Sequence, residues 1–184
     1  QDVSSKTVLI TGAGSIGLFA IPIALMNGAS KVIVTEPSQY KKEIALKLGA
    51  DAVFDPREEY IKEKILDLTD GLGPDVLLEM SGNKSAIKFG LEVLSNGGTA
   101  SFLGIPAGEI PVNIAETIIF KGITVHGITG RRMFETWYQC DQFLQKHGST
   151  IDPVITHILD MDEVEKGFIM MENQEAVKVL LKIS

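Results

Sequence analysis

Apolar and polar positions follow two alternating rhythms along the first 130 residues. Short apolar runs at 7–11, 31–35, 52–54, 75–80, 98–103 and 123–129 read as strands. Stretches with helical spacing at 15–27, 38–48, 58–69 and 84–95 lie between them. In the third stretch Ile61, Ile65 and Leu68 form a single stripe, and in the fourth Ile87, Leu91 and Leu94 do. The first is apolar almost all round, which predicts a helix buried between the sheet and another layer. Pro22 inside it removes one backbone donor. Gly71-Leu72-Gly73-Pro74 and Asn96-Gly97-Gly98 supply turn chemistry between units. Regular alternation of strand and helix builds a parallel sheet with crossover helices. The expected fold is therefore α/β, a doubly wound six-stranded sheet in the order 3-2-1-4-5-6.

After Thr129 the rhythm changes. Met133, Trp137, Cys140 and Leu144 predict one long amphipathic helix, with Cys140 on its core stripe. Val154-Ile155-Thr156 reads as a short strand. Met161, Val164, Phe168 and Met171 fall on one helix face, and Val177, Val179, Leu181 and Ile183 alternate as a last strand. Two helices and two strands fall short of a second core below about 60 residues. The expected division is thus a nucleotide-binding domain over 1–130 and, over 131–184, a segment of an incomplete second domain. A first residue other than methionine, Gln1, fits a piece of something longer.

Composition narrows the class. The chain has 184 residues, 45% of them hydrophobic, enough for a packed core. No apolar stretch is long enough to cross a bilayer, and no secretory leader opens the sequence. One cysteine excludes an internal disulfide and fits a reducing, cytoplasmic setting. A formal charge of −7 argues against nucleic acid or an anionic membrane as partner. Any anionic ligand must then be held by local dipoles.

Gly12-Ala13-Gly14-Ser15-Ile16-Gly17 directly follows the first strand run and opens the first helix. Glu36 closes the second strand run, 19 residues beyond Gly17. A bare GxGxxG is weak evidence, but strand, helix and acid together are the context of a Rossmann dinucleotide site. Gly12 permits the tight turn, Gly14 lets the backbone approach a pyrophosphate, and Gly17 allows close packing of helix and strand. The phosphates would lie at the N-terminus of the helix, where N–H groups and the dipole favour negative charge. Glu36 would accept the adenosine ribose hydroxyls and repel a 2′-phosphate, selecting NAD over NADP. Lys41 either reaches the adenosine end or is one more surface lysine. Ligands of such sheets sit beyond the carboxyl ends of the strands, which places Ser81-Gly82, Leu103-Gly104-Ile105 and Ile128-Thr129 along the cofactor.

A search for reaction machinery comes back empty. His126, His147 and His157 are scattered, Cys140 is alone, and neither a Gly-x-Ser-x-Gly elbow nor a Tyr-x-x-x-Lys pair occurs. No catalytic residue and no metal ligand is expected in this chain.

These motifs resemble the zinc-dependent medium-chain alcohol dehydrogenase family. Ile128-Thr129-Gly130-Arg131-Arg132, Glu135-Thr136-Trp137-Tyr138, Glu36-Pro37-Ser38 and Ile118-Ile119-Phe120-Lys121 resemble, within it, the members that oxidise L-threonine. The resemblance implies NAD contacts at Ile16, Glu36, Lys41, Leu103-Gly104-Ile105 and Ile128-Thr129. Arginine is usual at position 41, and lysine replaces its planar grip by a point charge. Ser15 stands where proline is frequent. The resemblance also implies that zinc ligands and the proton relay belong to an N-terminal half outside this chain, and that 131–184 completes that catalytic domain. The implied reaction is oxidation of L-threonine to 2-amino-3-oxobutanoate in a homodimer or homotetramer joined through the sixth strand. Two alternatives stand beside it: a free-standing dinucleotide-binding regulatory module, and a fragment of a related polyol or alcohol dehydrogenase. Arg131 and Arg132 have no assigned role.

Overall fold

The six apolar runs come together as one parallel sheet in the computed structural model, which describes residues 2–183. Its strands are β1 (Thr7–Thr11), β2 (Lys31–Thr35), β3 (Ala52–Phe54), β4 (Val76–Glu79), β5 (Thr99–Phe102) and β6 (Thr124–Gly127). They run in the order β3-β2-β1-β4-β5-β6, the doubly wound order expected from the alternation. Helices α1 (Ser15–Met26), α2 (Gln39–Lys47), α3 (Ile61–Asp67) and α4 (Lys84–Val93) connect them. Strands covered on both faces need unbroken apolar runs. Val8, Leu9, Ile10, Val32, Ile33 and Val34 meet this need and are wholly inaccessible.

Polar side chains secure the ends of these elements. Asp75 accepts the Thr7 N–H at 2.8 Å, and Asp51 accepts the Val32 N–H at 2.7 Å, near the starts of β1 and β2. The Lys31 ammonium donates to the Leu68 carbonyl just past α3, and Lys121 donates to Leu91 and Glu92 near the end of α4. Both lysines satisfy carbonyls that a helix end leaves open. Burial pushes the Lys121 ammonium below its ordinary value.

The structure departs from the sequence reading in several places. Helix α1 continues through Pro22, but it is not buried all round. Ile16, Ile23 and Met26 stay exposed, while Gly17, Leu18, Ile21, Pro22 and Ala24 form its buried face. Helix α3 begins at Ile61 and not at 58, since Tyr60 adopts a left-handed conformation with φ 60°. Before it, Asp55 accepts the Arg57 N–H in a turn that the spacing of apolar residues cannot register.

Contacts divide the chain into two units, one ending at Ile128 and one beginning at Thr129. In the second, β7 (Ile155–Asp160) and β8 (Lys178–Lys182) form a parallel pair connected by α6 (Val164–Glu172). β7 is longer than the short strand expected at 154–156. Leu159, Ala176 and Val177 are buried, and Gly167 lets α6 approach Val179 and Leu159 closely. Helix α5 (Glu135–His147) forms as the spacing predicts but buries no residue. Cys140, expected on a core stripe, is exposed. Within its unit α5 runs directly into the 3₁₀ segment Gly148–Val154, and no apolar layer covers its stripe. Among the described residues, no helix is long and apolar enough to cross a membrane.

Candidate functional site: a dinucleotide cradle

The carboxyl ends of the strands in the first unit lie along one edge of the sheet. Thr11 is in register with Thr35 on one side and Glu79 on the other, and Glu79 with Phe102. Between β1 and β4 the strand order reverses, the place where open α/β sheets bind ligands.

At that point the glycine turn has the geometry its residues foretell. Gly12 has φ +91° and donates its N–H to the Thr35 carbonyl at 2.9 Å. Gly14 precedes α1 in an extended conformation, and a Cβ there would meet nothing within 4 Å. Open space thus faces the turn where a phosphate would approach. A Cβ on Gly17 would lie 2.0 Å from the Gly12 carbonyl oxygen and 3.6 Å from Ile10 Cγ2. The tight contact is with the turn's own backbone, and the strand is only the second neighbour. No side chain caps α1 and its first turn carries no acid, so nothing of opposite purpose occupies the positive end of the helix.

Glu36 is only 5% exposed. Its Oε2 accepts the Ala13 N–H at 2.8 Å and its Oε1 accepts the Ser38 N–H at 3.0 Å. One carboxylate therefore joins the glycine turn to the turn after β2. Each oxygen retains a lone pair, so acceptance from ribose hydroxyls remains open. Lys41 sits half-buried in the first turn of α2, its N–H directed at Ser38 Oγ at 3.5 Å.

Arg57 extends this corner. It donates to the Pro37 carbonyl at 3.2 Å and pairs with Asp55, whose carboxyl it holds well below the usual carboxylate range. Glu58 is likewise lowered, first by the Lys64 ammonium and then by the Asp55 N–H. A carboxylate with a depressed folded-state value adds stability above its unfolded value and loses it as pH falls through the folded one. The melting temperature should therefore fall as pH drops through and below the ordinary carboxylate range, and Glu58→Gln should make that fall shallower by about 2 °C, the scale of an exposed pair. A melting series in both proteins checks this, and parallel curves would remove Glu58 from the account.

On the other side of the switch point, Ser81, Gly82, Leu103, Gly104 and Ile105 converge. A Cβ on Gly82 would come within 2.6 Å of the Ile105 carbonyl oxygen, and one on Gly104 within 2.2 Å of the Gly82 nitrogen. Leu103 and Ile128 share an apolar groove of about 350 Å³ with Ala20, Ile23, Leu78 and Met80. Ser15 and Ile16 form the first turn of α1, Ile16 half-exposed. Thr129 belongs to the second unit. A residue that motif reading missed lies between these loops. Glu79 ends β4 fully buried, with its carboxylate turned into the Ser81-Gly82 turn. No motif marks it, and the one available signal was a charge closing a wholly apolar run.

The cradle fits a dinucleotide: an open glycine turn, an uncapped helix start, and a buried acid beside it. Zinc does not fit, because no group of three or more His, Cys, Asp or Glu side chains able to hold a metal occurs among the described residues.

Comparison with known proteins agrees with this geometry. Residues 15–146 match the model of the zinc-binding dehydrogenase family. The chain is 42% identical over 181 residues to an L-threonine 3-dehydrogenase of Caldanaerobacter subterraneus subsp. tengcongensis, covering 98% of this chain and 52% of that protein. It is 43% identical over 182 residues to the L-threonine 3-dehydrogenase of Pyrococcus abyssi, with the same coverage of 98% and 52%. Among solved structures, an alcohol dehydrogenase from Thermotoga maritima superposes with a TM-score of 0.91 at 33% identity, over 98% of this chain and 51% of that one. The alcohol dehydrogenase of Thermus sp. ATN1 gives 0.88 at 27% identity, over 98% and 52%. The chain spans about half the length of the relatives it matches.

Proposed function

We propose that this chain, which belongs to the zinc-binding dehydrogenase family, is the coenzyme-binding portion of an NAD-dependent L-threonine 3-dehydrogenase. The observation that carries the reading is the buried Glu36 carboxylate hydrogen-bonded to Ala13 inside the open glycine turn. Bound NAD supplies the hydride acceptor. Gly12, Gly14, Ser15, Ile16 and Gly17 hold its pyrophosphate by backbone N–H groups and the α1 dipole. Glu36 takes the adenosine ribose, and its charge opposes the extra phosphate of NADP. Lys41 borders the same end. Ser81, Gly82, Leu103, Gly104, Ile105, Ile128 and Thr129 orient the nicotinamide half. On this reading NAD held by these residues would accept the hydride from carbon 3 of L-threonine, a base outside this chain would take the hydroxyl proton, and 2-amino-3-oxobutanoate and NADH would result.

Domain limits of 1–130 for cofactor binding and 131–184 for the remainder belong to the same reading. Calorimetric titration of the full-length protein with NAD and NADP, with a turnover assay on L-threonine, tests it. The expected result is a clear preference for NAD and threonine-dependent NADH formation. Equal affinities would remove Glu36 from the assignment, and turnover of a polyol or simple alcohol but not threonine would move the substrate. Residues 1–184 alone should bind NAD yet show no turnover with or without added zinc. Activity of that material, freed of full-length contaminant, would overturn the division of labour.

We also propose assembly through β6. It is the last strand of the sheet, all four of its residues are exposed, and Val125 is 44% exposed. A sheet-edge strand with one side of its backbone open invites a second copy, giving a homodimer or homotetramer. Light scattering should give a dimer or larger, and Val125→Lys should shift it toward monomer. A monomer of the unmodified protein at high micromolar concentration would reject the proposal.

A further inference from the structure

Glu79 stands out as a fully buried carboxylate to which the fingerprint assigns no task. Its Oε1 accepts the Ser81 N–H at 3.0 Å, the Gly82 N–H at 3.1 Å, the Ser81 hydroxyl, and the Thr11 hydroxyl at 3.3 Å. Oε2 also faces the Gly82 N–H at 3.2 Å. Its backbone carbonyl accepts the N–H groups of both Leu103 and Gly104 at 3.0 Å. One residue thus grips the ends of β1, β4 and β5 at the switch point of the sheet. Surrounding atoms leave these loops no slack. A Cβ on Gly104 would lie 2.5 Å from Glu79 Oε2, and one on Gly12 would lie 2.8 Å from Ser81 Cβ.

Burying a carboxylate is costly, and hydrogen bonds offset that cost only when donors surround the group. Here every donor but the Thr11 hydroxyl is the backbone or side chain of the loop after β4, so most of that cost is offset by fixing one local conformation. An apolar residue would fill the volume without holding Ser81-Gly82 in place. We propose that Glu79 is a positioning residue, which sets the Ser81-Gly82 and Leu103-Gly104 loops for the nicotinamide half of the dinucleotide without touching the adenosine half. The inference rests on the reading of the cradle as an NAD site.

Calorimetric titration of the full-length protein with NAD and with AMP separates the two halves. Glu79→Leu should weaken NAD by about ten-fold, the scale of buried donors left without a partner, and leave AMP within about two-fold. Glu79→Gln keeps one acceptor oxygen for the Ser81 and Gly82 donors and should restore most of the NAD affinity. If Glu79→Leu fails to fold, Glu79→Gln and Glu79→Asp carry the test. Aspartate is too short to reach both donors and should lose NAD selectively where glutamine does not. NAD and AMP weakening together, or NAD unchanged in every folded variant, would overturn the positioning role. An unmodified protein that binds neither ligand would fail the cradle reading itself, and the inference with it.

Discussion

Glu36→Ala should lower NAD affinity by about thirty-fold while leaving NADP affinity within about three-fold of its starting value. Two losses act together on NAD. The ribose hydroxyls lose a charged acceptor, and the Ala13 and Ser38 N–H groups lose the partners they now hold at 2.8 and 3.0 Å. NADP suffers the second loss, but it gains by removal of a charge that opposes its 2′-phosphate. The preference must therefore narrow even if the turn loosens. Glu36→Gln separates the contributions, since the amide keeps one acceptor oxygen and sheds the charge. It should retain more NAD affinity than alanine and narrow the preference nearly as far. Titration of both cofactors into the three proteins is the measurement. An unchanged NAD-to-NADP ratio in Glu36→Ala would mean that the acid serves the turn alone.

The placement of Glu36 beside the glycine turn was legible in the sequence because it depends on spacing from the glycines, and spacing is preserved in one dimension. The sheet order followed from the regular alternation of strand runs such as Val32-Ile33-Val34 with helical stretches, which builds a parallel sheet with crossover helices. Glu79 was not legible. An acid closing Val76-Leu77-Leu78 looks like any strand end meeting solvent, and its burial appears only when the Ser81-Gly82 turn folds back over it. The start of α3 was misread because the left-handed Tyr60 has no signature in apolar spacing. The stripe of α5 was read correctly as a stripe and wrongly as a core, because periodicity records which face seeks cover, not whether cover is present. The glycines fall between these cases: GxGxxG marked all three positions, but only the geometry distinguishes what each one does.

That difference yields an expected pair of opposite phenotypes. At Gly17 a new Cβ would stand 2.0 Å from the Gly12 carbonyl oxygen, and backbone cannot step aside as a flexible side chain does. Gly17→Ala should cost about 3 kcal/mol of folding stability, with cofactor binding lost as the turn is forced open. At Gly14 the same added carbon meets nothing within 4 Å, and the backbone there is extended at φ −67°, which alanine adopts freely. Gly14→Ala should therefore cost less than about 1 kcal/mol, the penalty of alanine at a helix cap. Its Cβ would nevertheless occupy the space through which the phosphates reach the first turn of α1, and NAD affinity should drop by about ten-fold. Thermal melts beside NAD titrations of the two variants decide the matter. Gly14→Ala binding NAD as well as the unmodified protein would show that the open space is not where the dinucleotide lies. Gly17→Ala melting at the unmodified temperature would show that the turn can relax around a side chain.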